Sequence, residues 1–459
     1  MKSLFLSFVL FFGLAVHGQE TPARPPQEVL RAVAALPVLH DGRVMPLDTF
    51  ARLHLMQFSG QRSLGDQSAL EWMLDVLFDP QRTRDLPLFL INHPGVLEAM
   101  GVPTVMEIEG QRPSFRRFSL EHLRPGLAEL ERLAREAFEI PPESRDLIDQ
   151  EVLRVFNSVF TYRELGRVFA HVRPNPTLRL TDPGLRSRLG IAQGQQELMY
   201  YELRPLAEEL SGRIRTAMRQ EADPGLSEAE LNFLSQMSEY WMMSQNLPFH
   251  VLPAAPHGDP EWLPPFEALY QDLRDVELKR AAANMSEMAM AWRAGDWDRA
   301  LTAYRNVNDF VQERMKRDRD VRLTLSETRY NRANFYGKAR ALYLVAFLLA
   351  TATLISGKDS LRRLTWLPLA VAMTWHIIGL VWRVYLTARP PVTNLYGTFL
   401  FVSLIALLLA LMVEWRQKNG LGLFAGSFVA LTLLMLADRF GAEGDTLQKV
   451  VAVLASNFW

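Results

Sequence analysis

Apolar residues recur every three to four positions through Ala69 to Phe78, Leu127 to Phe138 and Leu147 to Val172, the spacing of helices with one face in a core. Ser227-x-x-Glu230 is a capping box that opens a further helix carrying Trp241. From Leu263 to Gly337 the same spacing predicts helical hairpins, with Gly295-Asp296 as one turn. Two-residue alternation is rarer. Ala35 to Met45 places Asp41-Gly42 between apolar flanks, which predicts a tight hairpin. Pro46 then opens a helix and Gly60 lies just past its end. Short strands are predicted at Leu86 to Ile91, Thr104 to Ile108 and Phe249 to Leu252.

Beyond about residue 338 the pattern changes. Ala341 to Ser356, Leu364 to Trp382, Leu395 to Val413 and Leu421 to Ala437 are continuous apolar segments. The first and last fall short of the roughly 20 residues a span needs and gain length from neighbours such as Ala339. At the other end of the chain, Lys2 precedes an apolar run from Leu4 to Val16. Val16 and Gly18 suit a cleavage site before Gln19, so residues 1–18 read as a signal peptide. Pro22, Pro25 and Pro26 then form a short extended linker. A signal peptide puts residue 338 outside, and the first span leads inward to Lys358, Arg362 and Arg363. Arg416 and Lys418 mark the second inner loop. The expected organisation is mainly α: a helical outer domain over 19–338 with a few short strands, a bundle of about four spans over 339–437, and an outer amphipathic segment over 438–459.

Composition narrows the chemistry. The chain has no cysteine, which excludes disulfides, a thiol nucleophile and thiolate metal sites. A net charge of −1 gives no general case for nucleic-acid binding. His40, His54, His93, His122, His171, His250 and His257 are scattered and form no HExxH or other tight ligand pair, so they read as surface or hydrogen-bonded core groups. Trp241-Met242-Met243 reads as core rather than cofactor wall. The charged run Glu313 to Arg322 reads as a solvated helix face.

The second and third spans carry the one unusual constellation. His376 is the only histidine in the membrane half. About 12 residues from the inner end of its helix, or roughly 18 Å, it falls in the outer part of the bilayer and is expected to pack inward. Gly379 and Arg383 follow on the same face, flanked by Trp375 and Trp382. Arg389 lies in the outer turn, whose prolines hold it extended, and Asn394 is placed to cap the next helix. Arg383 and Arg389 together suit a carboxylate. The same residues also suit interface anchors and a histidine bonded to a neighbouring helix.

The string HIIGLVWRVYLTARPPVTNLY at 376–396 resembles the signature of CcsA/ResC-type cytochrome c assembly proteins, the membrane component of the system II pathway. Glu327-x-x-Tyr330-Asn331 also fits that family. Gly42-Arg43-Val44-x-Pro46-Leu47-Asp48-Thr49-Phe50 is similar to an extra-membrane segment of the fused CcsB–CcsA (ResB–ResC) forms, and Asp445 to Trp459 to an outer amphipathic segment. The resemblance implies a bacterial inner-membrane protein with its large domain in the periplasm. It implies haem as cofactor, and as partners apocytochrome c and a CcsB/ResB-like membrane protein. Haem propionates would suit Arg383 and Arg389, and its ring the faces of Trp375 and Trp382.

In that family a tryptophan-rich segment faces haem, flanked by histidines that act as axial ligands. No such segment occurs before Trp459, so the chain is expected to be the front part of a longer or split protein. His376 matches no family ligand, and the metal ligands stay unassigned. The leading function is haem handling in cytochrome c maturation. Its alternatives are a membrane-anchored scaffold or sensor without haem, and a small-anion transporter.

Overall fold

A computed structural model describes residues 24–441 except 176–177, 193–194, 256–260, 272 and 393. The predicted signal peptide, Gln19, Pro22, His257 and residues 442–459 of the outer amphipathic segment lie outside the described residues.

The chain is mainly α, as its spacing predicts. After helix α1 (Gln27–Val33), strands β1 (Pro37–His40) and β2 (Arg43–Pro46) pair antiparallel around Asp41-Gly42. Both turn residues have positive φ, 48° and 67°, the backbone of a tight hairpin turn. Helix α2 (Leu47–Ser59) starts after Pro46 and stops at Gly60, whose φ of 65° is the left-handed cap that glycine adopts at low cost. Strands β3 (Ser63–Leu64) and β4 (Gln67–Ser68) make a second small hairpin that leads into α3 (Ala69–Phe78). Strand β5 (Phe89–Leu90) pairs with β6 (Arg117–Phe118) across α4 (Pro94–Ala99). Helices α5 (Leu120–Leu123), α6 (Leu127–Glu139) and α7 (Leu147–Leu165) follow. The expected helix to Val172 ends early, because the chain turns at Gly166, packed against Pro80.

Helices α8 (Pro183–Arg188), α9 (Tyr200–Arg219) and α10 (Glu228–Met243) form a lobe with its own core of Leu203, Leu206, Leu210, Phe233 and Met237. The Ser227–Glu230 capping box is present. Strands β7 (Leu252–Pro253) and β8 (Trp262–Leu263) and helix α11 (Pro265–Tyr270) return the chain to the main core. There α12 (Val276–Ala294) and α13 (Trp297–Arg314) form the hairpin predicted at Gly295-Asp296. Trp72, Trp292, Phe50, Phe58 and Phe78 fill this core. The run Glu313 to Arg322 is not one helix face. Helix α13 ends at Arg314, and the Asp318 side chain caps α14 (Arg319–Ala333) by accepting from the Val321 amide.

Four helices follow that are long and apolar enough to cross a membrane: α15 (Phe335–Ser356, continuing the rod of α14), α16 (Asp359–Thr387), α17 (Leu395–Gln417) and α18 (Leu421–Arg439). Each extends past its apolar segment, since charged and aromatic residues at the membrane boundary stay helical. Leu348, Ile355, Leu367, Val381, Leu409 and Met435 are exposed on their outer surfaces, an apolar area that water would not tolerate. The protein is therefore membrane-embedded.

The two ends of the bundle differ. At one, the buried Glu414 carboxylate accepts from the amides of Gly420 (3.0 Å) and Gly422 (3.2 Å), capping the start of α18, with Arg362 3.6 Å away. At the other, Asp438 at the end of α18 pairs with Arg340 of α15 and with Arg62, which follows α2. The N-terminal helical domain, the turn between α16 and α17 and the end of α18 therefore share one side of the bundle, and the turns at Gly357 and Lys418 share the opposite side.

Candidate functional site at the membrane junction

Helices α14 and α15 form a rod broken at one residue, Asn334, whose backbone is left-handed at φ 47°. Its side chain fills the space beside Gly337, where a Cβ would lie 2.5 Å from Oδ1. Just beyond the break, Phe335 and Tyr336 press on α16 at Gly379. A Cβ there would meet Phe335 Cβ at 2.8 Å, so glycine sets how closely the first two spans approach.

The faces of Trp375 and Trp382 turn toward this break. Trp375 packs on Phe335 with ring centroids 5.5 Å apart, and Lys338 Nζ lies 4.7 Å over its ring. Trp382 also packs on Phe335 at 5.5 Å and donates its indole N–H to Ser326 Oγ at 3.1 Å. Arg319, at the start of α14, donates to the carbonyls of Tyr385 and Leu386 (3.1 Å to the latter) and so caps the end of α16.

The predicted inward face of α16 forms a buried stripe through Thr365, Leu369, Ala372, His376, Gly379, Arg383 and Leu386. His376 bridges three helices. Its Nε2 donates to the Leu400 carbonyl of α17 at 3.0 Å, and its Nδ1 accepts from the Tyr343 hydroxyl of α15 at 3.2 Å. Helices α16 and α17 otherwise have little contact, so this imidazole is a principal tie between them. About two helical turns on, the Arg383 guanidinium lies 5.1 Å over the Tyr396 ring, with Tyr330 and Tyr336 as further neighbours. Asn394 caps α17 by accepting from the Gly397 amide at 2.8 Å, as its position predicts. Gly397 lets the Pro391 carbonyl approach, since a Cβ would lie 2.3 Å from it. Arg389 is half-buried in the turn between α16 and α17, outside the stripe.

A second network lies just above. Glu327 of α14, only 3% exposed, binds Arg43 of β2 and accepts from Thr49 Oγ1 of α2 at 2.7 Å. One turn on, Asn331 donates to Asp48 Oδ2 at 3.0 Å and shares a 2.9 Å contact with Thr49 Oγ1. The Gly42-to-Phe50 and Glu327-to-Asn331 segments, far apart in sequence, are thus docked on each other. With 376–396 they build one junction where the outer domain meets the first two spans.

The sequence alone missed several of these residues. Arg62, Arg340 and Asp438 carry no motif, because their meeting depends on the helix arrangement. Glu414 was findable, as an acid beside the Asn419-Gly420 turn of an apolar hairpin. His40, His54 and His250 read as scattered but share one cluster: the rings of His40 and His54 are 5.0 Å apart, and the Leu39 amide donates to the His250 carbonyl at 2.8 Å. His171 is buried, bonded to Ser286 Oγ at 2.8 Å. Burial holds its imidazole at about 3, so it is a neutral core group at ordinary pH. Trp241 packs on Phe266 at 5.3 Å, with Met242 and Met243 exposed beside it.

A haem needs an open flat face and a free donor for its iron, such as an imidazole nitrogen. In this arrangement both nitrogens of His376 bond protein groups, Trp375 and Trp382 are packed against Phe335, and Arg383 is buried beneath Tyr396. These side chains therefore do not fit a haem as they stand. Among the described residues, no group of three or more histidine, aspartate or glutamate side chains is placed to hold a metal ion. No protein-family model matches the chain, and no curated protein matches it.

Proposed function

We propose that this protein is a membrane component of haem handling in cytochrome c maturation, and that its junction is the part that fixes an outer helical domain to the membrane bundle. The observation that carries this reading is the convergence of three family-like segments. Residues 42–50, 327–331 and 376–396 each resemble a segment of that family, and they contact one another or the same helix. On this reading Arg43, Asp48, Thr49, Glu327 and Asn331 hold the outer domain in register, while His376, Arg383 and Asn394 hold the outer ends of the spans. The axial ligands and the ring-facing surface belong to other residues or to a CcsB/ResB-like partner. The periplasm is the compartment that this role requires for the outer domain.

One observation favours a second reading, a membrane-anchored scaffold or sensor without haem. The polar and aromatic groups of the α16 face are occupied by protein contacts. Haem absorbance separates the two. The full chain is purified in detergent, alone and together with its membrane partner. A Soret band that appears with the partner supports haem handling. Its absence in both preparations, with the complex intact, supports the scaffold.

A further inference from the structure

The tip of the β1–β2 hairpin presents a titratable imidazole, His40, and a guanidinium, Arg43, to different neighbours. His40 and Arg43 face each other across the two-residue turn. Arg43 reaches Glu327 on α14. His40 packs on α2, with ring centroids 5.3 Å from Phe50 and 5.0 Å from His54. His54 is 1% exposed and bonds the Phe50 carbonyl through Nδ1 at 2.9 Å. His250 bridges to Leu39 of β1 through its backbone. We propose that His40, His54 and His250 form an acid-sensitive latch that keeps the hairpin docked on α14.

The physical argument is one of charge crowding. The hairpin docks with these rings neutral. His40 is half-buried, and its Nε2 lies 3.5 Å from Asp41, so it is the point where a proton enters. A charged His40 would sit against the buried His54 ring and opposite Arg43, and like charges facing across a hairpin destabilise it. The other charged groups facing the cluster are Glu261 and Glu267, which act on His250, and Glu327 and Asp320 on the α14 side. Only Asp41 lies at the tip to offset a proton on His40.

The sign is set by burial. It lowers all three imidazoles, holding His54 at about 3, with His40 acting further in that direction on His54 and His250. Undocking exposes His40 and uncovers the His54 and His250 rings packed beside it, so the imidazoles return toward their ordinary value of about 6.5 and bind protons that the docked form does not. Docking is thus complete above about pH 6.5 and weakens as the pH falls from there toward 3. Each proton taken up shifts the equilibrium about tenfold per pH unit in that window. The inference rests on contacts inside the outer domain and is independent of the haem reading.

Hydrogen exchange on the full chain in lipid nanodiscs, corrected for intrinsic rates, tests it at pH 7.5 and 5.0. Amides of 37–46 and 319–333 are expected to lose at least about tenfold in protection at pH 5.0, while α12 and α13 keep theirs. His40→Gln and His54→Phe should each flatten that difference. Equal protection at the two pH values in the unaltered protein would overturn the proposal, whether or not the variants fold. So would an unchanged pH dependence in both variants.

Discussion

Glu327 is the residue on which the junction turns. It is a buried carboxylate with a guanidinium and a hydroxyl as partners, so removing one side strands charge in a dry site. Glu327→Met and Arg43→Met should each cost about 3–5 kcal/mol. Replacing both by methionine should cost less than either single change, because no lone charge remains. Thermal unfolding of the detergent-solubilised chain, followed by tryptophan fluorescence, gives these values in one double-mutant cycle. A loss in the double variant equal to the sum of the two single losses would mean that the pair is not coupled. Sequence spacing could not pair these residues. Glu327 sits in a charged stretch that looks like any solvated helix, and its partners lie near the other end of the chain. Only the resemblance drew attention to both segments.

At the scale of elements the pattern was more legible, for local reasons. Helix α3 has the predicted bounds because Ser68 caps it and its apolar residues point into the core. The β1–β2 turn was readable because Asp-Gly suits positive φ at both positions. Strands β3, β4, β6 and β8 are two residues each, too short to show alternation. Helix α9 was missed because its charged residues mask a narrow apolar stripe of Leu203, Leu206 and Leu210. In the membrane, the inward stripe of α16 was readable from period, but its partners were not. Gly379 gives the sharpest element-scale test. Gly379→Leu should push α16 away from Phe335 and Tyr336. The expected result is an upward shift in the emission wavelength of Trp375 and Trp382 and a lower unfolding temperature, whereas Gly212→Ala, in a helix and with no neighbouring atom nearer than 3.9 Å, should leave that emission unchanged. Matching emission in both variants would remove glycine's role in setting the approach of α15 to α16.

Among the described residues, the helical domain meets the four-span bundle at the α14–α15 rod, on which the Arg43–Glu327 network docks, at α16, which Arg319 and Ser326 bind, and at α18 through the Arg62–Asp438 pair. Helix α2 runs between the first and third of them, so it lies across the outer end of the bundle. The positive loops at Lys358 to Arg363 and Arg416 to Lys418 set the expected orientation. Alkaline phosphatase fused after Arg389 should be active and fused after Arg362 inactive; the reverse would put the domain in the cytoplasm. The central claim, a role in cytochrome c maturation, is tested most directly in the cell that encodes the chain. The gene is disrupted, and c-type cytochromes are examined by haem staining after denaturing electrophoresis. The account predicts that apocytochrome is still made and exported but carries no covalent haem, and that Glu327→Ala gives the same defect in weaker form. Cytochromes with normal covalent haem in the disrupted strain would contradict it.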